Sequence, residues 1–176
     1  MKMNLKQNSV KLAIAAGLVV GSVSVTMPAF ASTKSTNLEV KASIGNACVV
    51  STVALDFGTY DPNAAEALEG TGKIKTTCTS GASGTIKINK GTNGTGDNEN
   101  PTRRMLHATA AEKYLSYDVF TDDGRTQQWN HTAIGDAELS GTGSEESLTV
   151  FGEITVGQTD AIAGDYADTL LVTINY

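Results

Sequence analysis

Apolar and polar residues alternate in short segments along most of the chain, a pattern typical of half-buried β-strands. About seven such segments are separated by turn signals rich in Gly, Asn and Asp. They cover residues 38–44, 52–58, 72–79, 84–90, 113–122, 147–156 and 168–176. Helical signals are weak, and only residues 64–68 and 108–114 would form a turn or two. This spacing of short strands predicts one all-β domain, a β-sandwich of the immunoglobulin type.

The first and the last of these segments each present one apolar face. In the first segment that face carries Leu38, Val40, Ala42 and Ile44. In the last segment it carries Leu170, Val172, Ile174 and Tyr176. Chain ends usually fray unless they are tied down, so a complete, aromatic-tipped terminal strand indicates a fixed place in a sheet. The first strand either pairs within its own domain or serves as a detachable strand for another copy.

The beginning of the chain has the features of a secretory signal peptide. Lys2, Lys6 and Lys11 precede an apolar run over residues 12–25, and an A-x-A cleavage site ends at Ala31. The alternative is an uncleaved membrane anchor, but a bilayer span needs about 20 apolar residues and this run is shorter. We therefore expect residues 1–31 to be removed and the protein to be secreted.

The charge of the processed chain limits the classes of partner. The predicted leader holds three of the thirteen basic residues and none of the nineteen acidic ones, which leaves a net charge of −9 on the remaining 145 residues. Such a domain repels phosphate backbones and anionic lipid, so we expect no nucleic-acid partner and no membrane insertion after cleavage.

Two cysteines remain after processing, Cys48 and Cys78. In an oxidising compartment a single pair of this kind is most simply one structural disulfide. The alternative, a catalytic dithiol, would favour C-x-x-C spacing, which the pair does not have.

The chain contains no convincing catalytic, cofactor or metal motif. Residues 70–73 (GTGK) lack the Ser or Thr and the upstream glycine of a phosphate-binding loop. We expect His107 and His131 to be surface or loop residues rather than metal ligands. The acidic cluster of Asp118, Asp122 and Asp123 does not follow the EF-hand register, and a charged hairpin tip explains it better. These absences argue against an enzyme and against a cofactor.

The order of short motifs along the processed chain resembles a known family. The motifs are GNACVV (45–50), LDFGTY (55–60), KTTCTS (75–80), KYLSYDVFTDDGRTQQW (113–129) and GDYADTLLVTINY (164–176). The chain is similar to the spore coat protein U domain, and specifically to the subunits of archaic chaperone–usher pili of the Csu type. Residues 91–105 depart from the family pattern, and the surface loop predicted for Gly91–Pro101 has no role assigned.

The resemblance implies an incomplete immunoglobulin-like β-sandwich that is completed by donor-strand complementation. Residues 1–31 would then be the signal peptide, 32–44 the donor-strand segment and 45–176 the pilin domain. The donor residues would be Leu38, Val40, Ala42 and Ile44. The C-terminal strand that forms the acceptor groove and binds the chaperone would present Leu170, Val172, Ile174 and Tyr176.

The function implied by the resemblance is structural. The chain would be a subunit of a surface pilus that supports surface attachment and biofilm formation. Its partners would be a periplasmic chaperone, an outer-membrane usher, and other copies of itself or related pilins. Two alternatives are a spore or cell-coat protein of the same fold, and a secreted carbohydrate-binding or adhesin module. Trp129 and the five tyrosines could stack on sugars in such a module, but aromatic residues of this kind more often belong to a core.

Overall fold

The computed structural model describes residues 31–132 and 137–176. The predicted signal peptide, except its last residue, lies outside this range. The chain divides into two units, residues 1–41 and 42–176. The described part of the first unit, residues 31–41, is exposed and contains no strand. The elements of regular secondary structure in the described residues are all β-strands, as the alternating pattern predicts.

The second unit contains all the strands of the described residues. They are β1 (Cys48–Asp56), β2 (Leu68–Cys78), β3 (Ser83–Ile88), β4 (Thr95–Gly96), β5 (Pro101–His107), β6 (Tyr114–Phe120), β7 (Ala137–Ser140), β8 (Glu145–Ile154), β9 (Tyr166–Ala167) and β10 (Val172–Asn175). The larger sheet has the order β1-β2-β8-β6-β5-β4, and β9 also pairs with β5. The smaller sheet has the order β10-β3-β7.

The two sheets pack their apolar faces together as a β-sandwich. Strand β6 shows how the sequence achieves this, because Leu115, Tyr117 and Val119 alternate inward and are all buried. The smaller sheet contributes Ile86 and Ile88 from β3 to the same core. The buried core residues are Ile74, Cys78, Ala82, Ile86, Ile88, Leu115, Tyr117, Val119, Trp129, Leu139, Val150 and Ile154.

Trp129 is a core residue and not part of an exposed sugar-binding surface. Its side chain is fully buried, and its Nε1 donates a hydrogen bond to the carbonyl oxygen of Ile86 at 3.0 Å. The indole thus buries a large apolar surface while its one polar atom is satisfied.

Several sequence predictions differ from the structure. Residues 38–44 form no strand, and neither 64–68 nor 108–114 forms a helix. Strands β5 and β7 and the two-residue strands β4 and β9 were not predicted. Strand β5 lacks the usual signal because its buried positions are Pro101, Arg103 and His107 instead of large aliphatic residues.

The prediction that His107 is a surface or loop residue is wrong. The ring is buried on β5, where its Nδ1 accepts hydrogen bonds from the N–H groups of Thr109 (3.1 Å) and Ala110 (2.9 Å). The imidazole and the ring of Tyr166 pack in an edge-to-face arrangement, with ring centroids 5.0 Å apart. His107 therefore caps the turn after β5, and this gives a buried imidazole enough polar partners to be tolerated.

The acidic cluster is divided between two places. Asp122 sits at the hairpin tip, where its carboxylate accepts hydrogen bonds from the backbone N–H groups of Thr126 and Gln127. These bonds lower the pKa of Asp122. Asp118 instead lies on β6, so its assignment to the tip is wrong. Burial raises the pKa of Asp118, while a hydrogen bond from Gln128 opposes that shift.

Candidate functional site

On one side of the sandwich, each sheet ends in an edge strand that pairs with a single neighbour. Within the described residues, β1 pairs only with β2, and β10 pairs only with β3. The outer edges of β1 and β10 therefore present backbone N–H and C=O groups that no strand of the described chain covers. An unpaired edge of this kind is a template for another strand.

A groove of about 480 Å³ lies between β1 and the C-terminal stretch that leads into β10. Its walls come from both sheets and are largely apolar. The side chains that define it include Leu55, Phe57, Ile74, Tyr117, Leu170 and Val172.

The inner face of β1 is not covered as the inner face of a sandwich strand normally is. Val50 is paired in register with Thr76, and Thr52 with Ile74. Directly opposed residues point to the same face of a sheet, so Val50 and Thr52 face inward with their partners. Thr76 and Ile74 are buried, yet Val50 is 43% exposed. The described residues therefore leave this part of the inner face of β1 only partly covered.

Glycines in the larger sheet shape the floor next to the groove. Gly70 and Gly152 are direct partners across β2 and β8. A Cβ atom at Gly152 would lie 2.7 Å from Leu55 and 2.8 Å from Phe57, and a Cβ at Gly72 would lie 3.1 Å from Leu55. The glycines therefore leave the space in which Leu55 and Phe57 lie. Strand glycines often mark such a close approach, so the GTGK motif contained this signal.

The C-terminal stretch forms the opposite wall and passes from one sheet to the other. Residues Tyr166–Ala167 pair with β5 in the larger sheet, whereas Val172–Asn175 pair with β3 in the smaller one. The alternation predicted for this stretch is present. Leu170, Val172 and Ile174 are half-buried against the core. Tyr176, the last residue of the apolar face, is 55% exposed.

A buried arginine lies below this wall. Arg103 of β5 is 1% exposed. Its guanidinium donates hydrogen bonds to the carbonyl oxygens of Ile88 (3.1 Å), Asn89 (2.9 Å) and Trp129 (2.6 Å). Burial lowers the pKa of Arg103, and nearby Tyr117, Asp118 and Asp168 oppose that shift. Sequence reasoning missed this residue because a charge inside a strand usually indicates an exposed position.

Tyr117 connects the core to the C-terminal stretch. Its hydroxyl donates a hydrogen bond to Oδ2 of Asp168 at 2.8 Å. Burial raises the pKa of Tyr117, and the bond to Asp168 raises it further. Tyr117 and Asp168 both line the groove. Neither was assigned a role from the sequence.

The four predicted donor residues have no place in a strand. Leu38, Val40 and Ile44 are 88%, 84% and 88% exposed, and Ala42 is exposed as well. The three large apolar side chains of this segment, Leu38, Val40 and Ile44, are thus almost fully exposed at positions of one parity. Their role as a donor strand stays a prediction.

The predicted disulfide is confirmed. Cys48 and Cys78 are bonded and lie directly opposite each other at one end of the β1–β2 pair. The bond thus ties the edge strand β1, one wall of the groove, to β2, its only neighbour among the described strands. Within the described residues no three His, Cys, Asp or Glu side chains are grouped closely enough to hold a metal ion. No helix in residues 31–132 or 137–176 is long and apolar enough to cross a membrane.

Residues 34–173 match the Spore Coat Protein U domain over most of the chain. The chain belongs to the Spore Coat Protein U domain family. Family membership places it among structural proteins and not among enzymes, in agreement with the sequence prediction. A relative in this comparison is Protein U of Myxococcus xanthus, which is 33% identical over 180 residues, covering 96% of this chain and 99% of the relative.

A solved structure shares the fold of this family member. It is the crystal structure of the CsuC–CsuE chaperone–tip adhesion subunit pre-assembly complex from archaic chaperone–usher Csu pili of Acinetobacter baumannii. The TM-score is 0.53 at 19% identity, over 74% of this chain and 40% of the matched chain. At this level of identity the likeness shows the fold, which is the all-β sandwich predicted from the sequence.

Proposed function

We propose that the groove between β1 and β10 accepts an extended strand from another polypeptide and that the chain is a fibre-forming pilus subunit. The observation that carries this proposal is the exposure of Val50 on the inner face of β1. Both neighbouring strand edges are unpaired at the same place within the described residues. An added strand would cover the apolar face and pair both edges at once.

The donor in this proposal is the segment 32–44 of a second copy, with Leu38, Val40, Ala42 and Ile44 entering the groove. These residues alternate with polar Glu39, Lys41 and Ser43, so an extended segment presents its apolar face to the groove and its polar face to water. The acceptor surface would be formed by Leu170, Val172, Ile174 and Tyr176 on one side and by β1 on the other.

The free energy of donor-strand binding would favour a long-lived interface between subunits. Burial of Leu38, Val40 and Ile44 would contribute about 5–9 kcal/mol, taken at about 1.5–3 kcal/mol per side chain as an upper value. Each backbone hydrogen bond along the two edges would add about 1 kcal/mol. Since release of the strand would expose the core, slow dissociation would stabilise the fibre more than any single contact.

An open groove of this kind needs protection before assembly, because an exposed apolar surface with unpaired edges promotes aggregation. We propose that a periplasmic chaperone covers β10 first and that an outer-membrane usher then exchanges it for the donor strand. The fold shared with the subunit of a chaperone complex supports this partner. The protein would pass through the periplasm to the cell surface, where the fibre would support attachment and biofilm formation.

A second candidate is a coat protein that uses the same strand exchange. Full-length similarity to Protein U, together with the description of the family as a spore coat domain, favours this possibility. Purification of surface material separates the two, since a pilus subunit is recovered from sheared fibres and a coat protein from the cell or spore envelope.

The substitution Val40→Asp tests the donor assignment. A carboxylate on the apolar face of the donor should prevent fibre formation while leaving capture by the chaperone intact. Ser43→Asp is the matched control, since it places the same charge on the polar face of the same segment. Fibres should form with the control and be absent with Val40→Asp, as seen by electron microscopy of sheared surface material. Normal fibres from Val40→Asp would refute the donor assignment.

A further inference from the structure

The loop that follows β3 holds the C-terminal stretch where that stretch belongs to neither sheet. The backbone N–H of Asn89 donates to the carbonyl of Leu171 at 3.1 Å, and its Oδ1 accepts from the N–H of Leu171 at 2.8 Å. Thr92 donates to the carbonyl of Thr169 from its N–H (3.0 Å) and from its hydroxyl (3.2 Å). The loop thus satisfies backbone groups that a strand partner would otherwise satisfy.

Asp168 is the central contact of this loop. Its Oδ1 accepts hydrogen bonds from the backbone N–H and the side-chain Nδ2 of Asn93, both at 3.1 Å, and its Oδ2 accepts one from Tyr117. Asn93 also donates from Nδ2 to the carbonyl of Ala167 at 3.2 Å. Gly91 has φ +85°, and a Cβ atom there would overlap the Asp168 carboxylate. Only a glycine permits this close approach of the loop.

The buried Arg103 holds the start of this loop from the side of the core. The guanidinium of Arg103 donates to the carbonyl of Asn89 through both Nε (3.0 Å) and a terminal nitrogen (2.9 Å). Asn89 is therefore held by the core on one side and holds Leu171 on the other. This continuous set of contacts links β5, the loop and the wall of the groove.

We infer that the clamp formed by Asn89, Thr92 and Asn93 with Asp168 sets the position of the groove wall at residues 167–171 before a strand enters. Asp168 is its central positioning residue. This inference rests on the strand-accepting function proposed above. It also gives a role to the first part of the loop Gly91–Pro101, which the sequence left unassigned.

The physical consequence is a specific effect on the rate of strand entry. A wall that is already ordered does not lose backbone freedom at the moment of binding, so association is faster and tighter. Once the donor strand is in place it holds the wall itself, and the clamp then matters less. Loss of the clamp should therefore slow association much more than it speeds dissociation.

The test measures both rates for the full secreted chain and a fluorescent peptide with the sequence of residues 34–46. The chain is freshly refolded and kept dilute, so that peptide binding is measured before the unfilled chain aggregates or assembles with itself. Asp168→Asn removes the carboxylate at nearly constant size. Asp122→Asn is the matched control, because Asp122 also accepts backbone hydrogen bonds but lies at the hairpin tip and does not line the groove. We expect Asp168→Asn to lower the association rate about tenfold, the effect of losing one hydrogen bond to a charged group, and to leave dissociation nearly unchanged. The control should change neither rate.

Equal association rates for Asp168→Asn and the wild type would overturn the inference. So would a dissociation rate of Asp168→Asn that rises by as large a factor as its association rate falls, since that indicates general destabilisation. If Asp168→Asn does not fold by circular dichroism, Asn93→Ala provides the same comparison. It removes the two side-chain bonds but keeps the backbone N–H, so a smaller decrease of about threefold is expected. Failure of the wild-type chain to bind the peptide would instead refute the proposed function itself, and this inference with it.

Discussion

The disulfide between Cys48 and Cys78 gives the prediction whose magnitude follows most directly from the structure. The perturbation is the double substitution Cys48→Ala and Cys78→Ala. The cross-link closes a loop with a sequence separation of 30. In the chain-entropy description, a loop of this length raises the free energy of unfolding by about 3–4 kcal/mol. For a domain of this size that corresponds to a decrease of about 6–16 °C in Tm.

The location of the bond makes the effect relevant to function. Cys48 begins β1, and Cys78, its buried partner, ends β2. Because β1 has no second neighbour among the described strands, the disulfide and one ladder of hydrogen bonds are the links that join this wall of the groove to the larger sheet. Loss of the bond should therefore weaken both the fold and the capture of a donor strand.

The assay is guanidinium unfolding of the peptide-filled protein, since the unfilled protein is expected to aggregate. Oxidised wild type, reduced wild type and the double variant are compared in one experiment. The reduced wild type controls for the change of side chain, and it should unfold close to the double variant. A decrease of less than about 1 kcal/mol in both would refute the reasoning that the cross-link limits the unfolded chain.

Two further predictions concern the floor of the groove and the buried polar residues. Gly152→Val should displace Leu55 and Phe57, because a Cβ atom at this position would lie 2.7 and 2.8 Å from them, and it should lower the stability measured in thermal melts by about 1–3 kcal/mol. Gly45→Ala is the control, because a Cβ atom at Gly45 would have no neighbour within 4 Å. Equal melting temperatures of the two variants would contradict this packing. Burial raises the pKa of Asp118, so the folded state binds its proton more tightly than the unfolded state, and this contribution to stability is lost as pH rises through the raised pKa. The urea midpoint of wild type minus that of Asp118→Asn should therefore fall as pH rises from about 4 toward neutrality, and a difference that stays constant or rises would contradict the assignment.

Regular alternation located the longer strands whose inward positions are mainly aliphatic or aromatic, but it missed the four-residue β7 and also marked residues 38–44, which form no strand. Strand β6 is an example, since Leu115, Tyr117 and Val119 follow the period of two without interruption. The same holds for the C-terminal stretch, where Leu170, Val172 and Ile174 face the core as predicted. In these elements the local pattern and the tertiary packing agree, so the sequence alone is informative.

Strand β5 could not be found in this way, because its buried face depends on partners far away in the sequence. Arg103 is tolerated inside only because carbonyl oxygens of Ile88, Asn89 and Trp129 accept its hydrogen bonds. His107 is tolerated because the following turn donates to its ring. A buried polar residue is predictable only when its partners are known.

The groove itself was predicted through resemblance and not through the local pattern. Its glycine floor depends on the pairing of Gly70 with Gly152, which lie in distant segments. Its C-terminal wall depends on the passage between two sheets at Asp168, which no periodic pattern marks. The exposure of Val50, which supports the proposed function, is a property of the assembled sandwich alone.

The central claim is that residues 38–44 of one copy fill the groove of another. The most direct measurement is photo-cross-linking from a photoreactive amino acid at position 40 in fibres assembled from a mixture of unlabelled and ¹⁵N-labelled chains. The account predicts cross-links between labelled and unlabelled copies, located by mass spectrometry at residues 50–55 or 170–174. Cross-links confined to a single copy, or located mainly outside those two stretches, would contradict it.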